Sequence, residues 1–161
     1  MKRLIIITGN GKGKTTAGIG IIIRSLGHQR KCAFIKFFKS TPSGEDKILK
    51  KLGVKILKFK ISQFFNPKKI PNKLEKETKT LWEKTQKLAN EFDLIVLDEI
   101  NLVLAADLIK KSEFKNFIKN TKAHIVCTGR AAPLWLKKIA DTISIINDQK
   151  NTGISTKGIE E

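Results

Sequence analysis

Tyrosine is absent from the 161 residues, methionine occurs once and cysteine only twice. Two cysteines, Cys32 and Cys127, are too few for a disulfide framework or a zinc cluster. Each falls inside an apolar run and reads as a small buried hydrophobe. Proline is confined to four positions, which excludes a polyproline or collagen-like chain. No apolar run approaches the roughly 20 residues that span a bilayer, so a membrane protein is not expected. Only four apolar residues, Leu4 to Ile7, separate Met1-Lys2-Arg3 from a glycine-rich turn, too few for the core of a signal peptide. A cytoplasmic protein is expected. Arginine and acidic residues are also scarce. Lys and Arg total 32 against 15 Asp and Glu, for a net charge of +17. Such an excess ordinarily points to a polyanionic partner. Here only Arg3, Arg24, Arg30 and Arg130 are arginine, and the lysines are spread along the chain beside abundant Ile and Asn. That pattern is a drift in composition, and nucleic acid is not the expected partner.

What is present is a soluble, globular composition, 40% apolar and 29% charged. The length suits one domain, and with no repeat or low-complexity linker the whole span 1–161 is expected to be a single domain. Short apolar, β-branched runs alternate with helical patterns, the signature of an α/β fold with a mostly parallel sheet. Strands are expected at Arg3 to Thr8, Cys32 to Phe37, Val54 to Phe59, Asp93 to Asp98, His124 to Thr128 and Asp141 to Ile146. Leu4–Ile7 and Leu94–Leu97 are apolar without alternation, as strands buried on both faces require. Helices are expected at Thr15 to Leu26, Gly44 to Leu52, Asn72 to Asn90, and from a Ser112 cap to about Asn120. A loop fills Ser62 to Pro71. With Gly9-Asn10-Gly11-Lys12-Gly13-Lys14-Thr15 joining the first strand to the first helix, the predicted architecture is a single P-loop NTPase-like (RecA-like) nucleotide-binding domain, a sheet of about six strands with helices on both faces.

The strongest local signal is Thr8-Gly9-Asn10-Gly11-Lys12-Gly13-Lys14-Thr15-Thr16. It leaves a hydrophobic strand and opens a helix, the setting a phosphate-binding loop requires. Gly9, Gly11 and Gly13 let backbone N–H groups turn inward toward anionic oxygens, and the helix start adds its partial positive charge. Lys14 can reach the terminal phosphates, and Thr15 can offer its hydroxyl to Mg²⁺. Thr8 stands where the general pattern GxxxxGK[ST] has its first glycine. A second element, Leu94-Ile95-Val96-Leu97-Asp98-Glu99, is a buried strand ending in two acids, placed to hold a Mg²⁺ shell. A third is Thr128-Gly129-Arg130, at the carboxyl end of a strand, where open α/β sheets bind ligands. His28 and His124 read as structural, and Trp82 and Trp135 as packing residues.

These segments together resemble the corrinoid adenosyltransferases of the CobA/CobO/BtuR type, whose phosphate loop also lacks the first glycine. Phe37-Phe38-Lys39 with the later Gly44-Glu45 is similar to the family's second-strand segment, and Val96-Leu97-Asp98-Glu99-Ile100 to its acidic strand. Thr128-Gly129-Arg130 with Ala140-Asp141 resembles a third segment, and Gly153-Ile154 with Gly158-Ile159-Glu160 its ending. Lys36 stands where a glutamine is usual, Ser40 for a glycine, and Ile145 near the place of a usual glutamate. The family's Phe-Thr-Trp stretch before the long helix is matched only by Phe64-Phe65-Asn66.

The resemblance implies transfer of the 5′-deoxyadenosyl group of ATP to the cobalt of cob(I)alamin or a related corrinoid, with release of triphosphate. It implies binding of ATP by Gly9, Asn10, Gly11, Lys12, Gly13, Lys14, Thr15, Thr16 and Arg130. Lys14, Thr15 and Glu99 are expected to act in the reaction, and Thr15, Asp98 and Glu99 to hold Mg²⁺. Phe64 and Phe65 either wall off the cobalt or anchor their loop on the sheet. A flavoprotein reductase and a second copy of the chain are the implied partners. The residues alone leave open a P-loop kinase or NTPase acting on the γ-phosphate, with Glu99 polarising water. A nucleic-acid-associated RecA-like ATPase ranks last, because nothing resembles a base-reading element.

Overall fold

The continuous apolar runs do become strands. The computed structural model describes residues 2–60, 71–153 and 158. The strands are β1 (Leu4–Thr8), β2 (Cys32–Lys36), β3 (Lys55–Lys58), β4 (Leu94–Asp98), β5 (His124–Thr128) and β6 (Thr142–Ile145). They form one sheet in the order β3-β2-β4-β5-β1-β6, and every neighbouring pair is parallel. The register aligns their carboxyl ends: Lys36 lies opposite Asp98, Leu97 opposite Cys127, and Ile7 opposite Thr128. The loops that leave β1, β2, β4 and β5 therefore open on the same side of the sheet.

Alternate strand residues face opposite ways, and each face is covered. On one, Ile7, Phe34, Val96 and Val126 pack against Ile22 of α1 (Lys14–Gly27) and Leu49 of α2 (Gly44–Lys51). On the other, Ile6, Ile35, Ile95 and Ile125 meet α3 (Asn72–Leu88), α4 (Ile100–Ala105), α5 (Lys111–Asn120) and α6 (Leu134–Ile139). Trp82 of α3 stacks on Phe114 of α5 with centroids 5.8 Å apart, and Trp135 meets the same ring edge-on at 6.1 Å. Both tryptophans are packing residues, as expected.

The buried stripe of α3 includes Thr78 and Thr85 as well as Leu74, Leu81 and Trp82. Each hydroxyl donates to the carbonyl four residues back, at 2.8 and 2.9 Å, which lets a polar side chain sit in the core. Two local expectations need correction. Ser112 does not cap α5, which starts one residue earlier behind Lys110. The helices α4 and α6, six residues each, were not expected, because so short a segment shows no period. β6 is a strand, but it is an edge strand, and Ile145 is 62% exposed. Phe64 and Phe65 lie outside the described residues. Among the described residues no helix is long and apolar enough to cross a membrane.

Candidate active site

The loop between β1 and α1 takes its shape from glycine. Gly9 and Gly13 have φ of 110° and 100°, left-handed values that side chains rarely tolerate. At Gly9 a Cβ would also lie 2.2 Å from the Ile146 carbonyl oxygen. Thr8, in the place of the first glycine, is simply the buried last residue of β1, and the turn begins at Gly9. The segment after β6 braces the loop from outside. Ile146 N–H donates to the Thr8 carbonyl at 2.8 Å, and Gly11 N–H donates to the Ile146 carbonyl at 2.9 Å. Lys12 N–H donates to Asp148 Oδ1 at 3.0 Å. That bond, with a second from the Asn151 side chain, holds the Asp148 carboxyl below the usual carboxylate range.

Lys14 opens α1 and is buried, its ammonium turned back on the Gly11 carbonyl. Burial and the nearby Arg130 guanidinium lower its pKa. Beside it, Asp98 ends β4 with no exposed surface. Its Oδ1 accepts hydrogen bonds from Thr15 Oγ1 at 2.9 Å and Thr128 Oγ1 at 2.6 Å. Its Oδ2 accepts from Lys39 Nζ at 2.8 Å. The same ammonium lies 3.2 Å from Thr15 Oγ1 and 3.8 Å from Glu99 Oε1. Burial alone would lower the Lys39 pKa, but the charge and hydrogen bond of Asp98 outweigh it and hold the ammonium above the usual lysine range.

Glu99 follows Asp98 with φ of 62°, so the chain turns sharply out of the strand into α4. Its N–H donates to Thr128 Oγ1 at 3.3 Å. Burial and the Asp98 carboxylate raise its pKa. Asn101 ties the arrangement together, its Nδ2 donating to the Ile7 carbonyl at 3.2 Å and the Gly129 carbonyl at 2.9 Å.

Gly11–Thr16, Glu99 and Arg130 line one cleft of about 460 Å³. The structure thus brings together three segments that are far apart in the sequence. Gly9 and Asn10 are not part of the lining; Gly9 packs on Ile146, and Asn10 N–H reaches toward Asn147 Oδ1 at 3.5 Å. His28 follows the end of α1 and His124 starts β5, and neither lines the cleft. Sequence reasoning missed Lys39, Thr128, Asn101 and Asp148 as site residues. Thr128 was within reach of it, because it ends a strand and begins the Thr-Gly-Arg segment. The point where Thr15, Asp98 and Glu99 oxygens converge is filled by an ammonium group, so it is a seat for positive charge. Oxygen donors of this kind suit a hard cation that keeps other ligands from water or phosphate.

A parallel sheet with a glycine loop and two acids at its carboxyl edge defines a P-loop-like α/β domain. Residues 1–160 match the profile of the ATP:corrinoid adenosyltransferase BtuR/CobO/CobP family, and the chain belongs to that family. It is 33% identical over 172 residues to a corrinoid adenosyltransferase of Sinorhizobium sp, an alignment covering 99% of this chain and 80% of the relative. It is 30% identical over 157 residues to the corrinoid adenosyltransferase of Escherichia coli K12, covering 92% and 78%. The corrinoid adenosyltransferase CobA of Salmonella typhimurium LT2 is 30% identical over 156 residues, with the same coverage.

Proposed function

We propose that the protein transfers the 5′-deoxyadenosyl group of ATP to the cobalt of a reduced corrinoid, cob(I)alamin or a close relative, and releases triphosphate. The family match along residues 1–160 carries this reading. Kinase or NTPase action on the γ-phosphate is not favoured. The cobalt of a cob(I) corrinoid is a strong nucleophile with no proton to lose, so attack on the ribose C5′ calls for no general base. The cleft suits that demand, because no histidine lines it. What the reaction needs is stabilisation of a highly charged leaving group.

Lys14 and Arg130 supply positive charge, and the amides at the start of α1 supply hydrogen-bond donors and the helix dipole. Thr15, Asp98 and Glu99 would hold Mg²⁺, which when bound neutralises charge on the departing triphosphate. Phe64 and Phe65, in the segment that leads to α3, are assigned to a hydrophobic wall that excludes water from the cobalt face. Reduction of the corrinoid is assigned to a flavoprotein reductase in the cytoplasm, and the working form to a homodimer.

The test is incubation of the protein with MgATP and chemically reduced cobalamin, followed by visible spectroscopy and phosphate analysis. Adenosylcobalamin with an equal amount of triphosphate is the expected product pair. Formation of ADP and orthophosphate, with no change in the corrinoid spectrum, would overturn the reading in favour of the kinase or NTPase.

A further inference from the structure

Asp98 is wholly buried, and a buried carboxylate is costly unless paired and hydrogen-bonded. Two hydroxyls serve its Oδ1, and among the described residues the cation bonded to it is Lys39, at Oδ2. Lys39 lies beyond β2 in a stretch that is neither helix nor strand, and its side chain is 39% exposed. It reaches inward to a point 3.2 Å from Thr15 Oγ1 and 3.8 Å from Glu99 Oε1. Those oxygens and Asp98 are the ones assigned above to Mg²⁺. An ammonium at hydrogen-bond distance and an ion at about 2.1 Å from the same oxygens cannot occupy that seat together.

We propose that Lys39 is the resident cation of this site, a placeholder that neutralises the acid pair when the cleft holds no nucleotide and withdraws when metal enters. The proposal rests on the assignment of Thr15, Asp98 and Glu99 as metal ligands. Its consequence is an order of binding. Free divalent cation is kept out of the empty cleft, and metal arrives together with the polyphosphate, whose oxygens complete its shell and whose negative charge pairs with the displaced ammonium. The lysine stem can swing outward from its loop, because its side chain is already 39% exposed.

The experiment uses the full chain without ATP or corrinoid, and Mn²⁺ as the probe, read by the electron paramagnetic resonance of the free ion. Lys39→Met should bind Mn²⁺ at least about tenfold more tightly than the unaltered protein, since a positive charge has left the seat. Lys39→Arg, which keeps the charge, should bind no more tightly than the unaltered protein. Adding Glu99→Gln to Lys39→Met should abolish the gain. In EDTA, Lys39→Met should melt below the unaltered protein, and Mn²⁺ should close the gap. If Lys39→Met does not fold in EDTA, Lys39→Gln, which keeps a donor for Asp98 without the charge, carries the same expectation. Mn²⁺ affinity that is unchanged or weaker in the folded neutral variants overturns the proposal, and so does a gain that survives Glu99→Gln. Failure of the adenosylation assay is a separate result, because this binding is read with neither substrate present.

Discussion

Lys14 folds back onto the Gly11 carbonyl, inside the loop assigned to polyphosphate. Its charge is preorganised, and burial makes it worth more than it would be in water. Lys14→Ala is expected to lower the single-turnover rate of adenosyl transfer by two to three decades, about 3–4 kcal/mol. A folded variant that keeps more than about a tenth of the rate would contradict the role. Glu99 and Asp98 are adjacent but unlike. Glu99 faces the cleft, so Glu99→Gln should shift the Mg²⁺ midpoint of activity to higher concentration and leave the melting temperature nearly unchanged. Asp98 is buried among Thr15, Thr128 and Lys39, so Asp98→Asn should also melt several degrees lower in a calorimeter. Lys14, Thr15 and Glu99 were legible in the sequence because their neighbours along the chain define them. Lys39 was not, because it meets the acids only through the order of the sheet, and Asn101 was not, because its partners are the distant carbonyls of Ile7 and Gly129.

At the scale of elements, the join of β2 to α2 turns on another buried lysine. Lys36, in the place of a usual glutamine, ends β2 fully buried and pairs with Asp46 of α2 at 2.7 Å. Ser43 Oγ accepts a second hydrogen bond from the same ammonium at 2.8 Å. Burial alone would raise the Asp46 pKa, but the hydrogen bond and charge of Lys36 outweigh it, with help from Ser43, and hold the carboxyl below its usual range. Asp46→Asn leaves a buried ammonium with only the more distant Glu45 carboxylate, at 3.8 Å, as counter-charge and should cost about 3 kcal/mol in a denaturant melt at neutral pH. The sign of the pH dependence follows from a lowered carboxyl pKa. The advantage of Asp46 is complete above about pH 4, the unfolded value, and is lost as pH falls through the lower folded value. The gap between the two proteins should therefore persist down to about pH 4 and close only below it. β1 and β4 were legible because unbroken apolar runs in a chain of this pattern have few other destinations, and the other strands because short β-branched runs alternate with helical patterns. The helices α4 and α6 were not, since each is fixed by what it packs against: Ile100, Val103 and Leu104 for α4, Leu136 for α6.

Across the whole molecule, the net charge of +17 acts as a self-repulsion that salt screens. Raising NaCl from low to several tenths molar should increase the melting temperature by a few degrees. Affinity for duplex DNA should stay near the non-specific level and collapse over the same range. A fixed melting temperature would mean that the internal pairs, rather than the surface lysines, dominate the electrostatics.

β1 lies between β5 and β6, and the loop that follows it is braced by residues 146–148. The bonds from Asn10 and Lys12 to Asn147 and Asp148 span 137 and 136 positions. On the ribosome, therefore, the glycine loop is made well before the residues that brace it, on the order of ten seconds earlier at ordinary elongation speeds. For that interval the nascent chain can collapse around β2, β3 and β4 but has no assembled cleft, and no nucleotide in the cell can rescue it. A chain cut short before Asp148 would leave the ribosome with most of its sheet and none of its ligand-derived protection, a substrate for the proteases that remove unfinished work.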